Sequence, residues 1–202
     1  MEPAPALWWE IARNVGATPP SDSYVNQLHR YRDWLATEAI EAGGIGEAER
    51  GRLDERHIAD SLLFARVFGS PPEHVLDIGS GVGLPGIPLA ILYPDTQFTL
   101  LDRSGRRVHL ARRAIRVLGL TNVVVIQDDV ERHRENYPVV VTRASLPPSA
   151  LLPLLKSLVS PGGIGLVGGS WVTEPSVAGF QTQEIGSAIL EHPVWILIMR
   201  RK

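Results

Sequence analysis

Short apolar runs alternate with helical patterns over residues 74–169, and this alternation limits the possible folds more than any other feature of the sequence. We predict buried strands at HVLDIG, QFTLLD, NVVVIQ, YPVVVTRA and GGIGLVGG. Helices are predicted over GIPLAILYP, from Ser104 to Leu118 and from Pro147 to Leu158. Strands that alternate with helices in this way form a mostly parallel, doubly wound sheet.

Two further runs, GFQTQEIGS and VWILIMRR, lie too close together in the chain for a helical crossover between them. We therefore predict an antiparallel pair of strands at one edge of the sheet. The predicted fold class is α/β, with a Rossmann-like, mostly parallel sheet whose last strand is antiparallel.

The N-terminal part of the chain has helical patterns only. One runs from the cap residues Ser21 and Asp22 to Gly43 and Gly44, and a second covers residues 54–68. The sequence GSPP at residues 69–72 then breaks the chain. We predict two parts, a helical N-terminal cap over residues 1–70 and an α/β core over residues 71–202.

The composition excludes several kinds of site. The chain has no cysteine, which excludes a disulfide framework, a thiolate nucleophile and cysteine-ligated zinc. Its histidines lack the spacing of metal ligands, so no metal is expected. No run reaches the roughly 18 to 20 apolar residues of a membrane span, and the first residues do not resemble a signal peptide. We expect a cytoplasmic monomer without membrane contact.

The formal net charge of −2 argues against a strongly basic nucleic-acid binder. The charge is unevenly distributed, however, because six arginines and no acid occur between Arg103 and Gln127. Such a segment either contacts phosphates or forms a solvated helix face, and the sequence leaves both interpretations open.

The turn DIGSGVGLPG, residues 77–86, follows the first predicted strand, where ligands bind in open α/β sheets. Its GVGLPG part matches the dinucleotide pattern G-x-G-x-x-G, which is weak by itself. Asp77, the first residue of this segment, would repel a pyrophosphate, whereas it suits an ammonium group such as that of S-adenosylmethionine. A nicotinamide-dependent oxidoreductase remains an alternative.

Two other segments support an adenosine-containing ligand. Asp102 ends the second predicted strand, where a carboxylate accepts hydrogen bonds from ribose hydroxyls. The alternative role of Asp102 is to cap the helix that starts at Ser104. The segment QDDVE, residues 127–131, follows the third strand, where an adenine ring would lie. Together with the glycine turn, these positions favour S-adenosylmethionine.

The segments VLDIGSGVGLPGIPLAI, FTLLDRSGRRVHL, VTRAS and GRLDERHIADSLL resemble the glucose-inhibited division protein B family. The resemblance covers roughly residues 20–168. It implies a class I methyltransferase core that uses S-adenosylmethionine. The implied substrate is N7 of a guanine in 16S ribosomal RNA, and the implied partner is this RNA or the small ribosomal subunit.

The resemblance also implies roles for individual residues. Gly79 and Leu84 would line the methionine side of the cofactor, and Val130 and Glu131 would contact the adenine. Arg143, at the end of the fourth strand, would face the cofactor and the target base as the catalytic residue. The complete set of candidate cofactor-binding residues is Asp77, Gly79, Ser80, Gly81, Gly83, Leu84, Asp102, Arg103, Asp129, Val130, Glu131 and Arg143.

The segment TRASLPP, which follows the fourth strand, contains no general base. Guanine N7 carries a lone pair and no proton, so alignment of the reacting atoms is the main requirement. Arg143 could donate to guanine O6 or pair with a phosphate; the alternative is a structural ion pair with Asp128 or Asp129.

Residues of the N-terminal cap have competing interpretations as well. His57 either lies at the cofactor mouth or ties the cap to the core, through Asp60 for example. The tryptophans Trp8, Trp9 and Trp34 either stack on bases or pack inside the cap, and packing is favoured.

The sequence departs from the family after the fifth strand. The family's usual lysine is missing from GLVGGSW, and the short acidic segment VTEPSVAG replaces a basic helix. Two alternatives therefore stay open. The chain could be a divergent member that methylates a small molecule or another RNA, or a non-catalytic S-adenosylmethionine-binding protein.

Overall fold

The computed structural model describes residues 6–15, 22–143, 146–169, 171, 173–185 and 194–202. They contain a seven-stranded sheet in the order β3-β2-β1-β4-β5-β7-β6. The strands are β1 His74–Ile78, β2 Gln97–Asp102, β3 Val123–Gln127, β4 Tyr137–Arg143, β5 Val159–Gly168, β6 Gln181–Glu184 and β7 Trp195–Arg200. Strands β1 to β5 are parallel, whereas β7 is antiparallel to β5 and to the edge strand β6. The predicted fold class and antiparallel edge pair are confirmed.

Three helices connect the parallel strands: α4 Gly86–Leu92, α5 Gly105–Leu118 and α6 Pro148–Leu158. Helices α4 and α5 pack on one face of the sheet, in a cluster that includes Ile87 and Ala111. Helix α6 packs on the other face, where Leu151 and Leu155 are completely buried. All three lie where the sequence predicted helices.

The N-terminal segment consists of helices of several types. They are α1 Ala6–Asn14, α2 Asp22–Trp34, a π-helical turn Leu35–Ala39, a 3-10 helix Glu47–Arg52, a π-helical turn Leu53–Ala59, α3 Asp60–Leu63 and a 3-10 turn Phe64–Val67. The first predicted helix ends at Gly43, where φ is +64°, as expected. The second is helical throughout but is not one regular α-helix. Ser21 and the side chain of Asp22 lie outside the described residues.

One apolar cluster joins the N-terminal segment to the sheet. Leu28, Tyr31 and Ile58 are completely buried in the same cluster as Val75 of β1 and Leu100 of β2. Folding of this segment therefore buries one face of the sheet. Nothing in this packing tests the predicted boundary at residue 70, which stays a prediction.

The aromatic side chains of the N-terminal segment contribute to this packing. Trp8 and Trp34 are 1% and 3% exposed. Trp8 donates its Nε1 hydrogen to Asp54 O at 3.1 Å, and Trp34 stacks on Tyr31. The packing interpretation is confirmed for these two tryptophans, whereas the side chain of Trp9 lies outside the described residues.

Membrane spans and metal sites are both absent from the described residues. None of their helices is long and apolar enough to cross a membrane. In the same part of the chain, no group of three or more His, Asp or Glu side chains has the arrangement of a metal site.

Candidate functional site

A cavity of about 980 Å³ opens at the carboxyl ends of β1, β2, β4 and β5, between the sheet and the N-terminal segment. On the sheet side it is lined by Gly79, Ser80, Gly81, Leu84, Asp102, Arg103, Asp129, Val130, Glu131 and Arg143. The structure therefore brings ten of the twelve predicted cofactor-binding residues together around one cavity. Asp77 and Gly83 do not line it.

The glycine turn between β1 and α4 is held by backbone hydrogen bonds. Gly79 N and Ser80 N donate to Leu101 O at 2.8 and 3.2 Å, and Gly83 N donates to Ser80 O at 2.8 Å. Gly79, Gly81 and Gly83 have φ values of +66°, +60° and +108°. Such angles favour glycine, so the three glycines stand at the turn positions where the backbone has a positive φ.

The space around two of these glycines differs. A Cβ atom on Gly81 would have no neighbour within 4 Å, so this position faces open space at the cavity. A Cβ atom on Gly83 would lie 2.3 Å from Ile87 Cδ1, so Gly83 permits close packing of the turn on α4. The two glycines therefore have different roles in one motif.

Asp77 lies behind the turn and is completely buried. Its Oδ2 accepts a hydrogen bond from Gly86 N at 2.9 Å, and its Oδ1 has no hydrogen-bond partner among the described residues. Burial raises the pKa of Asp77 to about 8, against the opposing effect of the bond from Gly86. Asp77 and Gly83 shape the turn, and their predicted contact with a cofactor stays a prediction.

Asp102 lies on the cavity wall and is 4% exposed. Its Oδ2 accepts from Gly81 N at 3.0 Å, and its Oδ1 accepts from Ser104 N at 2.8 Å. The carboxylate thus connects the glycine turn to the start of α5, where Ser104 is the N-cap residue. Each carboxylate oxygen has two lone-pair directions, so Asp102 can hold the backbone and still accept from a ligand hydroxyl. The helix-start and ligand-binding interpretations are compatible.

The loop after β3 is shaped by its own carboxylates. Asp128 Oδ1 accepts from Asp129 N at 2.8 Å, and Asp129 Oδ1 accepts from Glu131 N at 3.1 Å. This turn brings the partly exposed Val130 to the cavity wall. The predicted contact of Val130 with an adenine stays a prediction.

Arg143 ends β4 and lies between the cavity and the N-terminal segment. Its Nη1 donates to Arg56 O at 2.7 Å, and its Nη2 donates to His57 Nδ1 at 3.0 Å. Burial lowers the pKa of Arg143 from its usual value, and the nearby charge of Asp60 opposes this shift. In the described part of the chain Arg143 forms no ion pair with Asp128 or Asp129, so that alternative is wrong.

His57 connects Arg143 to Glu49. Its Nδ1 accepts from Arg143, and its Nε2 lies 3.1 Å from Glu49 Oε2. Burial and the charge of Arg143 lower the pKa of His57 to about 4. The imidazole is therefore neutral near pH 7, with the proton on Nε2, and its contact with Glu49 is a hydrogen bond between neutral donor and carboxylate. His57 thus ties the N-terminal segment to the sheet through Arg143 rather than Asp60, and it also lines the cavity, so the two interpretations of this residue are compatible.

The N-terminal segment supplies much of the opposite cavity wall. Its lining residues are Gly44, Ile45, Gly46, Glu49, Arg56, His57, Asp60 and Phe64. Of these, the sequence analysis named His57 and, as a partner for it, Asp60. The family segment GRLDERHIADSLL contains Arg56 as well, so that segment carried a signal for three of the residues. Nothing in the sequence marked Glu49 or Phe64.

The GidB family model, described as rRNA small subunit methyltransferase G, matches residues 24–174. The chain belongs to this family. The matched region includes the glycine turn, Asp102 and Arg143, and also the part of the N-terminal segment that lines the cavity. The family resemblance read from the sequence is thereby confirmed.

Relatives within the GidB family are moderately similar to the chain. Ribosomal RNA small subunit methyltransferase G of Acidothermus cellulolyticus is 40% identical over 135 residues, which are 67% of this chain and 60% of that protein. The protein of the same name from Mycobacterium marinum is 47% identical over 96 residues, 48% of this chain and 42% of that protein. The chain thus spans less than two thirds of the length of these relatives.

Solved structures with the same fold are more distant in sequence from this GidB-family chain. A precorrin-6y C5,15-methyltransferase from Geobacter metallireducens has a TM-score of 0.55 at 12% identity. The match covers 71% of this chain and 87% of that protein's chain. TehB from Haemophilus influenzae has a TM-score of 0.52 at 16% identity, with coverage of 76% and 66%. These likenesses show the fold, which is that of class I methyltransferases.

Proposed function

We propose that the chain is an S-adenosylmethionine-dependent methyltransferase that acts on N7 of a guanine in 16S ribosomal RNA. The observation that carries this proposal is one cavity with Gly81 and Asp102 at the sheet edge and Arg143 on the wall toward the N-terminal segment. Membership of the GidB family supports the substrate. The proposed partner is the small ribosomal subunit or its RNA.

The residues present fit the cofactor. Gly81 leaves open space at the cavity, and Asp102 retains lone pairs for ribose hydroxyls. The loop with Val130 and Glu131 would hold the adenine. Bound S-adenosylmethionine supplies the activated methyl group, and the protein's task is to hold the acceptor nitrogen in line with it and to exclude water.

The state of His57 suits an acceptor without a proton. Its Nε2 carries the hydrogen, and the lone pair on Nδ1 is engaged by Arg143. His57 is therefore a poor general base, and guanine N7 needs none. The remaining donor hydrogens of Arg143 could orient guanine through O6.

A methylation assay with labelled S-adenosylmethionine and small subunits from a strain that lacks the native enzyme would test this function. We expect methyl incorporation at a guanine N7, located by nucleoside mapping, and its loss in Arg143→Ala. If the purified chain binds the cofactor normally but labels no RNA, the proposed substrate is wrong.

The connection between β5 and β6 favours one second candidate. Residues 169–180 contain no lysine and no arginine, although Gly169 and Trp171 line the cavity. An acceptor smaller than RNA would need no basic group there. Turnover of a small molecule in a metabolite panel, with no labelling of RNA, would favour this candidate.

A further inference from the structure

The exposed face of α5 carries a row of arginines outside the cavity. Arg106, Arg113 and Arg116 are exposed, and His109 lies between the first two. Their spacing of i, i+7 and i+10 places them on one side of the helix. The opposite side is buried against the sheet and the N-terminal helices. We call Arg106, Arg113 and Arg116 the arginine row.

The arginine row continues from the cavity. Arg103 and Arg107, at the start of α5, line the cavity rim, and the side chain of Arg107 is 57% exposed. From there, Arg106 to Arg116 cover about 15 Å of helix at a rise of 1.5 Å per residue. A polyanion whose reactive base entered the cavity could thus reach the arginine row without leaving the surface.

The surroundings leave most of this charge available. Arg113 forms an ion pair with Glu38, whereas Arg106 and Arg116 form none among the described residues. Arg106 lies against Gly43, which has no side chain to cover it. No apolar side chain is exposed on this face of α5, a composition that suits a phosphate backbone better than a lipid surface.

We infer that the arginine row binds the phosphate backbone of the RNA next to the target guanine. This inference rests on the proposed function and adds the surface that grips the substrate. It also gives an RNA-binding surface to a chain that lacks the family's usual lysine and basic helix directly after β5. The contacts are to phosphates, so they position the RNA and do not read its sequence.

The test is the salt dependence of binding to small subunits that lack the native methylation. Each phosphate contact contributes about 0.7 to 0.9 to the slope of log affinity against log salt. We expect the double variant Arg106→Glu/Arg116→Glu to reduce that slope by roughly 1.5 and to weaken binding about tenfold or more at 0.1 M KCl. Neither residue lines the cavity, so cofactor affinity should be unchanged.

Two controls sharpen this test. Arg200→Glu/Lys202→Glu makes the same change in net charge at the far end of β7 and should bind RNA like the wild type. Glu38→Gln frees Arg113 and should tighten RNA binding. If the α5 double variant keeps the slope and affinity of the Arg200/Lys202 control, the inference is overturned.

The inference and the proposed function fail in different ways. One outcome is that the protein binds RNA in a salt-dependent way, that the α5 double variant loses this binding, and that no methyl group is transferred. This outcome would support the role of the arginine row and reject the N7 reaction. Methyl transfer to RNA with an unchanged KM for RNA in the α5 double variant would support the proposed reaction and reject the role of the arginine row.

Discussion

At the scale of residues, hydrogen bonds that run from Glu49 through His57 to Arg143 determine how the Arg143 guanidinium is oriented at the cavity. Arg143 uses one donor on Arg56 O and one on His57 Nδ1. The second bond requires that Nδ1 carry no proton, and Glu49 favours this state because it accepts from Nε2. Glu49 thus affects Arg143 without touching it.

This arrangement predicts a single tautomer for His57. In ¹⁵N-histidine correlation spectra, we expect His57 to be neutral with its proton on Nε2 from pH 5.5 to 8, because its pKa is about 4. Glu49→Ala leaves Arg143 alone to select this tautomer, so we expect a partial shift toward the Nδ1-protonated form and a kcat that falls more than KM rises, whereas Glu49→Gln keeps an acceptor and should recover part of the effect. An unchanged His57 spectrum in Glu49→Ala would contradict this role.

The sequence indicated Arg143 but not its partners. A position at the end of a parallel strand follows from the strand pattern, so Arg143 could be placed at the ligand edge. Its bond to His57 joins residues 86 positions apart, and that to Arg56 joins residues 87 apart. Local periodicity holds no information about contacts at such separations.

At the scale of elements, the glycine turn is held from both sides. Asp102 accepts from Gly81 N on the sheet side, and Tyr31 of α2 donates to Val82 O at 3.1 Å on the other. The glycine pattern predicted the turn from the sequence, because three positive φ angles need glycine. The hydrogen bond from Tyr31 could not be predicted from the sequence, because Tyr31 lies about 50 positions before the turn and the sequence pattern predicts only that it is helical.

The two glycines of this turn should respond differently to alanine. Gly83→Ala places a methyl group against Ile87 at a φ of +108°, and we expect it to lower the free energy of unfolding by about 2–4 kcal/mol. Gly81→Ala places its methyl group in open space, so we expect a cost of about 1 kcal/mol but a loss of cofactor affinity of about tenfold or more.

Urea denaturation and calorimetric titration with S-adenosylhomocysteine would measure both effects. Equal losses of stability in the two variants would show that the difference in packing is unimportant. Unchanged cofactor affinity in Gly81→Ala would remove this position from the proposed binding site.

At the scale of the whole molecule, the mostly parallel sheet and its antiparallel edge pair could be predicted, but the placement of the N-terminal segment could not. Alternating strands and helices lead to a parallel sheet, and the short spacing after β5 leads to an antiparallel pair. Helix α2 meets the end of α5 through Gln27 and Arg30, which bond Leu118 O and Val117 O across 91 and 87 positions. The second cavity wall comes from the N-terminal segment, whose placement depends on such distant contacts, so sequence patterns could not predict that wall.

Packing of the whole molecule also leaves two titrating groups whose effects on stability oppose each other. The folded-state pKa of Asp77 is raised to about 8, so its contribution is complete below pH 4 and is lost as the pH rises toward 8. The folded-state pKa of His57 is lowered to about 4, so stability is lost as the pH falls from about 6.5 toward 4. Between pH 4 and 6.5 the two slopes offset each other.

Above pH 6.5 the slope from Asp77 remains, so we expect the cofactor-free protein to lose about 1 kcal/mol of stability between pH 6.5 and 7.5. Asp77→Asn keeps an acceptor for Gly86 N but cannot ionise, so its stability should be nearly flat over this interval. Urea midpoints at constant ionic strength would measure both profiles. Parallel profiles for the two proteins would mean that Asp77 is already ionised in the folded state at pH 6.5.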